Sequence, residues 1–212
     1  MSKIQEIAAA IEAGQRNAVK DLVLEALNEG IAPLEILNAG MIDTMSLVGE
    51  KFQREEVFIP EMLVAARAMK AGVETLRPHL GEGGGVNLGK VVIGTVSGDL
   101  HDIGKNLVAM MIESAGFEIA DLGVDVSLEK FVEAAESDEK VCIVALSALL
   151  TTTMPAMKNI VAALNASKAR NRFKIMVGGA PITEEFCKDI GADSYSPDAA
   201  SAAQRAKAMI SA

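Results

Sequence analysis

Tryptophan is absent from the 212 residues, tyrosine occurs once, and aromatic side chains make up only 3% of the chain. Half the residues are nevertheless hydrophobic, so the core must be built from Ala, Val, Ile, Leu and the 11 methionines, which suit helices and parallel strands. Positive charge is also short. Twenty basic residues against 29 acidic ones leave a net charge of −9, and no basic cluster offsets it. That balance argues against nucleic acid or an anionic membrane as the main partner. No apolar run approaches the ~18 residues of a spanning helix, and the N-terminus reads as a polar helix rather than a leader, so a cytoplasmic protein is expected. Only two cysteines are present, Cys142 and Cys187, without CxxC spacing, and both are expected to be buried reduced thiols. Histidine is equally scarce, limited to His79 and His101.

Residues 2–78 carry helical periodicity. Ser2 caps a first helix (Ile4, Ile7, Ala8, Ile11) ending near Gly14, and a second (Val19, Leu22, Val23, Ala26, Leu27) stops at Gly30. Pro33 suits the first turn of a long third helix carrying Ile36, Leu37, Met41, Met45, Val48 and Phe52. Pro60 opens a fourth, with Met62, Leu63, Ala65, Ala66, Met69, Val73 and Leu76. The expected architecture is a four-helix bundle over residues 1–80, then a flexible glycine-rich linker at 81–89.

From residue 90 the pattern alternates between strands and helices. Strands are expected near 90–96, 118–122, 141–146, 173–177 and 193–195, with helices near 103–115, 127–136, 155–167, 183–190 and 198–210. Five such units indicate an α/β domain over 90–212, a doubly wound five-stranded parallel sheet of flavodoxin or Rossmann type. In that fold the loops after strands one, three and four share the carboxyl edge, where ligands bind. Here they read Gly98-Asp99-Leu100-His101-Asp102-Ile103-Gly104, then Ser147-Ala148-Leu149-Leu150-Thr151-Thr152-Thr153, then Gly178-Gly179-Ala180-Pro181.

Residue types alone leave several readings of the first loop open. Asp99, His101 and Asp102 all carry metal-ligating atoms, but a zinc site needs at least three well-placed ligands. Asp99 and Asp102 could instead cap the following helix, with His101 hydrogen-bonding inside the loop. Dinucleotide binding is disfavoured, because Gly94, Gly98 and Gly104 do not have G-x-G-x-x-G spacing and an acid and an imidazole stand where a pyrophosphate would sit.

Asp-x-His-x-x-Gly at 99–104, Ser-x-Leu at 147–149 and Gly-Gly at 178–179 resemble, in order, the signature of cobalamin-binding domains. The likeness extends to the helical segment through Val48-Gly49-x-x-Phe52, Phe58-Ile59-Pro60 and Ala65-Ala66-x-x-Met69. The whole chain is similar to the cobalamin module of methionine synthase and, more closely in length, to the corrinoid proteins of microbial methyltransferase systems.

That resemblance implies a cobalamin or related corrinoid bound base-off, with His101 ligating cobalt from below. It implies that Asp99 hydrogen-bonds the far ring nitrogen and that Thr153 stands where the family has a serine. Gly104, Ser147, Leu149, Gly178 and Gly179 match positions along the nucleotide tail, which Tyr195 and Asp198 would border. Met45 and Phe58 would help the helical segment cap the upper corrin face, although bundle core is the alternative for these apolar stripes. The implied function is a methyl carrier, accepting a methyl group on cobalt from a substrate-specific methyltransferase. A second methyltransferase, acting on a thiol or tetrahydrofolate, would receive it, and a reductive activator is a possible further partner. A cobalamin-dependent sensor is the alternative, with no nucleic acid or membrane partner expected in either case.

Overall fold

The computed structural model describes residues 1–80 and 88–210. The linker expected at 81–89 falls outside the described residues except for Leu88 and Gly89. The chain divides into two compact units, residues 1–87 with 114–116 and residues 88–113 with 117–212.

The first unit is helical: α1 (Lys3–Glu12), α2 (Arg16–Asn28), α3 (Pro33–Glu35), a π-helical segment (Ile36–Ile42), α4 (Asp43–Gln53) and α5 (Ile59–Leu76). Ser2 and Gln5 form a reciprocal capping box at α1: Gln5 N–H donates to Ser2 Oγ at 3.3 Å and Ser2 N–H to Gln5 Oε1 at 3.1 Å. Glu61 in the first turn of α5 likewise accepts the Phe58 N–H at 3.1 Å. The single long helix expected after Pro33 is interrupted, since its middle is π-helical and the Asp43 N–H reaches back five residues to the Asn38 carbonyl. Hydrophobic spacing does not register one extra residue per turn, so this segment looks continuous from sequence.

Ile7, Ile11, Val19, Val23, Met41, Met62 and Leu76 form the unit's buried apolar side. At ~1.5–3 kcal/mol for each large side chain removed from water, this burial is what stabilises the helices, more than their intrinsic propensity. Gly72 on α5 shows how tight the packing is: a Cβ there would lie 2.7 Å from Val19 Cγ1 and 2.9 Å from Met41 Cε.

The second unit runs β1 (Lys90–Thr95), α6 (Ile103–Ser114), β2 (Glu118–Asp121), α7 (Leu128–Ser137), β3 (Val141–Ser147), a 3₁₀ turn (Thr151–Thr153), α8 (Met154–Ala166), β4 (Lys174–Gly178), α9 (Glu184–Ile190), β5 (Ser194–Ser196) and α10 (Ala199–Ile210). Every strand and helix expected after residue 90 is present within a few residues of its expected ends. The five strands are parallel in the order β2-β1-β3-β4-β5, with a buried cluster that includes Val92, Phe131, Val144, Met157, Ile160 and Val177. Val, Ile and Leu fill both faces of β1 and β3, as a sheet covered on both sides requires. The strand order reverses between β1 and β3, so their carboxyl ends open the crevice where such sheets place ligands.

Candidate functional site

Strand register draws one row across that edge. Thr95 pairs with Ser147, Ser147 with Gly178, and Gly178 with Ser196, so the last residues of β1, β3, β4 and β5 align. The three loops singled out in the sequence begin just beyond this row.

Asp99 sits at its centre, completely buried. Its Oδ1 accepts the His101 N–H at 3.1 Å and faces His101 Nδ1 at 2.7 Å. Its Oδ2 accepts the Leu149 N–H at 2.7 Å, the Leu150 N–H at 3.3 Å and the Thr153 hydroxyl at 3.0 Å. Burial by itself would raise this carboxyl. The amides of Leu149 and His101, the imidazole and the Thr153 hydroxyl outweigh burial and hold it well below the usual carboxylate range. An ionised carboxylate only accepts, so every facing group must donate, and the His101 proton is therefore on Nδ1. In that tautomer Nε2 carries the lone pair, and the His101 side chain is 52% exposed. A buried acid thus fixes the tautomer of an exposed imidazole.

These contacts decide between the readings left open by sequence. Asp99 is not a helix cap, because its oxygens are taken by His101, by the loop after β3 and by Thr153. Asp102 accepts from the Asn106 side chain at 3.1 Å on the first turn of α6. Among the described residues, no group of three His, Cys, Asp or Glu could hold a metal ion, so any metal here would lean on the single imidazole.

Thr153, Ser147 and Leu149 all lie at this edge, and Leu149 acts through its backbone amide as well as its half-exposed side chain. Leu100 beside His101, Ile103 at the start of α6, and Leu149 and Leu150 after β3 are exposed apolar side chains. Gly104, in the first turn of α6, has open space where a Cβ would point. Gly178 and Gly179 serve the protein itself. A Cβ on Gly179, whose φ is +126°, would lie 1.8 Å from the Ala148 carbonyl oxygen, and one on Gly178 would lie 3.1 Å from the Ser196 oxygen. Met45 and Phe58 belong to the helical unit, where Met45 is buried and Phe58 is 61% exposed. The free thiols stay protonated, since burial raises Cys142 and Cys187.

Two features escaped the sequence. The Leu149 and Leu150 amides carry no side-chain signal. The Ser196 hydroxyl is the other: it is buried at the end of the row without a hydrogen-bond partner among the described residues. An orphaned hydroxyl beside Gly178 is what a polar ligand group would satisfy. A ligand that brings its own metal and a polar group fits these residues, with the imidazole free to meet the metal and the Ser196 hydroxyl free to meet the polar group.

Two family models match the chain, both described as B12 binding domain, one over residues 89–204 and one over residues 3–77. The chain is 40% identical over 208 residues to dimethylamine corrinoid protein 1 of Methanosarcina acetivorans, covering 98% of this chain and 97% of that protein. It is 45% identical over 188 residues to trimethylamine corrinoid protein 2 of the same organism, covering 88% and 86%. Among solved structures it resembles a cobalamin-binding protein from Desulfitobacterium hafniense, with TM-score 0.82, 33% identity, and 97% and 98% of the two chains covered. It also resembles the methanol:cobalamin methyltransferase complex of Methanosarcina barkeri, with TM-score 0.85, 29% identity, and 99% and 80% covered.

Proposed function

The chain belongs to the B12-binding corrinoid proteins, and we propose that it is a methyl carrier in which His101 ligates the cobalt of a base-off corrinoid from below. A bound corrinoid supplies a metal centre that takes up and gives up a methyl group; the rest of the chemistry belongs to this chain. Its single strongest support is the Asp99–His101 contact at 2.7 Å, made by a carboxylate that its donors keep ionised. Such a partner fixes the imidazole tautomer and strengthens it as a donor. Thr153 Oγ1 has one proton and two acceptors in reach, Asp99 Oδ2 at 3.0 Å and the Leu150 carbonyl at 2.9 Å. By turning between them it adjusts how much negative charge Asp99 offers the ring.

Ser147, Leu149 and Ser196 line the edge that receives the polar tail, Gly104 leaves open space there, and Gly178 and Gly179 offer the tail their backbone. Phe58, exposed on the helical unit, is that unit's candidate cofactor contact. A methyltransferase partner is supported by the relatives' names, which point to methylated amines and methanol as methyl sources. Delivery to a second methyltransferase acting on a thiol or tetrahydrofolate, and service by a reductive activator, complete the proposal.

The test reconstitutes wild type and His101→Ala with hydroxocobalamin, desalts both, and records their visible spectra. Wild type is expected to stay red with a histidine-dependent band, and the variant to keep some corrinoid without that band. Identical spectra would remove His101 as ligand, and a colourless wild type would remove the cofactor.

A further inference from the structure

Asp99 ends a tight turn. Its N–H donates to the Val96 carbonyl at 3.1 Å, and Gly98, third in the turn, has φ +82°, the left-handed value a type II turn demands there. Glycine gives the chain that conformation but does not hold it, because glycine gains little by staying in any one well. A turn carrying the central carboxylate of the site therefore needs an outside support.

We propose that Asp125 is that support, a positioning residue that fixes the 97–99 turn and thereby aims the Asp99 carboxylate at His101 and Leu149. Asp125 grips the turn from both sides. Its Oδ1 accepts the Gly98 N–H at 2.7 Å and faces the Ser97 hydroxyl at 3.4 Å, while its own N–H donates to the Asp99 carbonyl at 3.0 Å. The segment holding it is itself registered on the sheet. The Thr95 N–H donates to the Gly123 carbonyl, the Val126 N–H donates to the Thr95 carbonyl, both at 3.0 Å, and Val126 bridges Val96 in parallel. Chain 123–126 thus continues β2's pairing past its end and templates the loop after β1.

Packing does not explain the residue. Asp125 is exposed, and its φ of +50° is a left-handed value that non-glycine residues adopt at a cost of ~1 kcal/mol or more. A strained, exposed acid is accounted for by what it holds. Asp125 touches neither His101 nor any reacting atom, so its effect passes through Asp99.

The idea rests on His101 being the cobalt ligand, and two readouts on the full chain separate the two claims. Amide hydrogen exchange at Gly98 and Leu149 is measured without cofactor. Retention and visible spectrum of hydroxocobalamin are measured after reconstitution. Asp125→Ala is expected to deprotect both amides, to weaken cobalamin retention about tenfold and to diminish the histidine-dependent band. Asp125→Asn keeps an acceptor oxygen on a residue that tolerates the left-handed backbone, so it is expected to restore all three to within about twofold. Asp125→Gly relieves the backbone but supplies no acceptor, and is expected to behave like the alanine variant. Wild-type exchange in Asp125→Ala, or a glycine variant matching wild type, would overturn the proposal. Should wild type retain no cobalamin, the ligand reading fails, and exchange at Leu149 alone still decides for or against Asp125.

Discussion

The two units satisfy their buried polar groups over very different distances along the chain. In the helical unit, Thr44 is buried and its hydroxyl donates to the Gly40 carbonyl one turn back at 2.9 Å. In the α/β unit, buried Asp99 is met by Thr153, 54 residues away, and by the Leu149 amide, 50 residues away. Buried Lys105 reaches Asp121 across 16 residues. A helix meets its polar needs locally, so its core is an exchangeable set of apolar side chains. A carboxylate fed by donors from separate loops exists only when the whole sheet has formed. Chemistry concentrates in the second kind of unit.

Two glycines give the largest expected contrast. Gly179→Ala drives a Cβ into the Ala148 carbonyl at a backbone angle that L-residues avoid, and is expected to destabilise the α/β unit by more than ~3 kcal/mol in denaturant unfolding. Gly40→Ala in the π-helical segment meets Ile7 and Ile4 only at 3.5–3.9 Å, and is expected to be neutral or to stabilise by about 0.5 kcal/mol. Similar penalties at both sites would erase the distinction between the units.

A middle-sized effect tests the Asp99 cluster by pH. Its carboxyl is held below the ordinary value of 3.8, so the stability it adds is complete above that value and is lost as pH falls toward its folded value. Cofactor-free Asp99→Asn is expected to be about 2 kcal/mol less stable than wild type at pH 7, since an amide NH₂ then faces fixed donors. Below about pH 4 the gap should narrow, because the unfolded wild-type chain takes up a proton there that the folded carboxylate refuses. A gap constant down to pH 3 would mean that the carboxylate charge contributes nothing.

The smallest effect belongs to Ser196. Its hydroxyl has no partner among the described residues, so Ser196→Ala should leave cofactor-free stability unchanged or raise it by up to about 1 kcal/mol. The same change should weaken binding of cobalamin but not of cobinamide, which lacks the nucleotide tail. Equal weakening of both would place the hydroxyl elsewhere on the ligand.

Much of this was legible beforehand. Period-two and continuous apolar runs located all five strands, because burial on both faces of a parallel sheet leaves a strong mark. The loop motifs located Asp99, His101, Ser147, Thr153 and the paired glycines, because each is a side-chain choice. The π-helical turn after Ile36 was invisible, since its extra residue leaves hydrophobic spacing nearly intact. Asp125 lies in no motif, and the approach of Gly179 to the Ala148 carbonyl is made only when the loops after β3 and β4 come together.

By itself, then, the sequence determined which segments become strands and helices and which side chains sit at the sheet's carboxyl edge, because local periodicity and short motifs encode both. Only the tertiary structure decided that Asp99 is an ionised, buried acceptor rather than a helix cap, that the His101 Nδ1 faces it as a donor, and that Ser196 has no partner among the described residues. Those are properties of donors and acceptors brought together from loops fifty residues apart, and no local pattern records them.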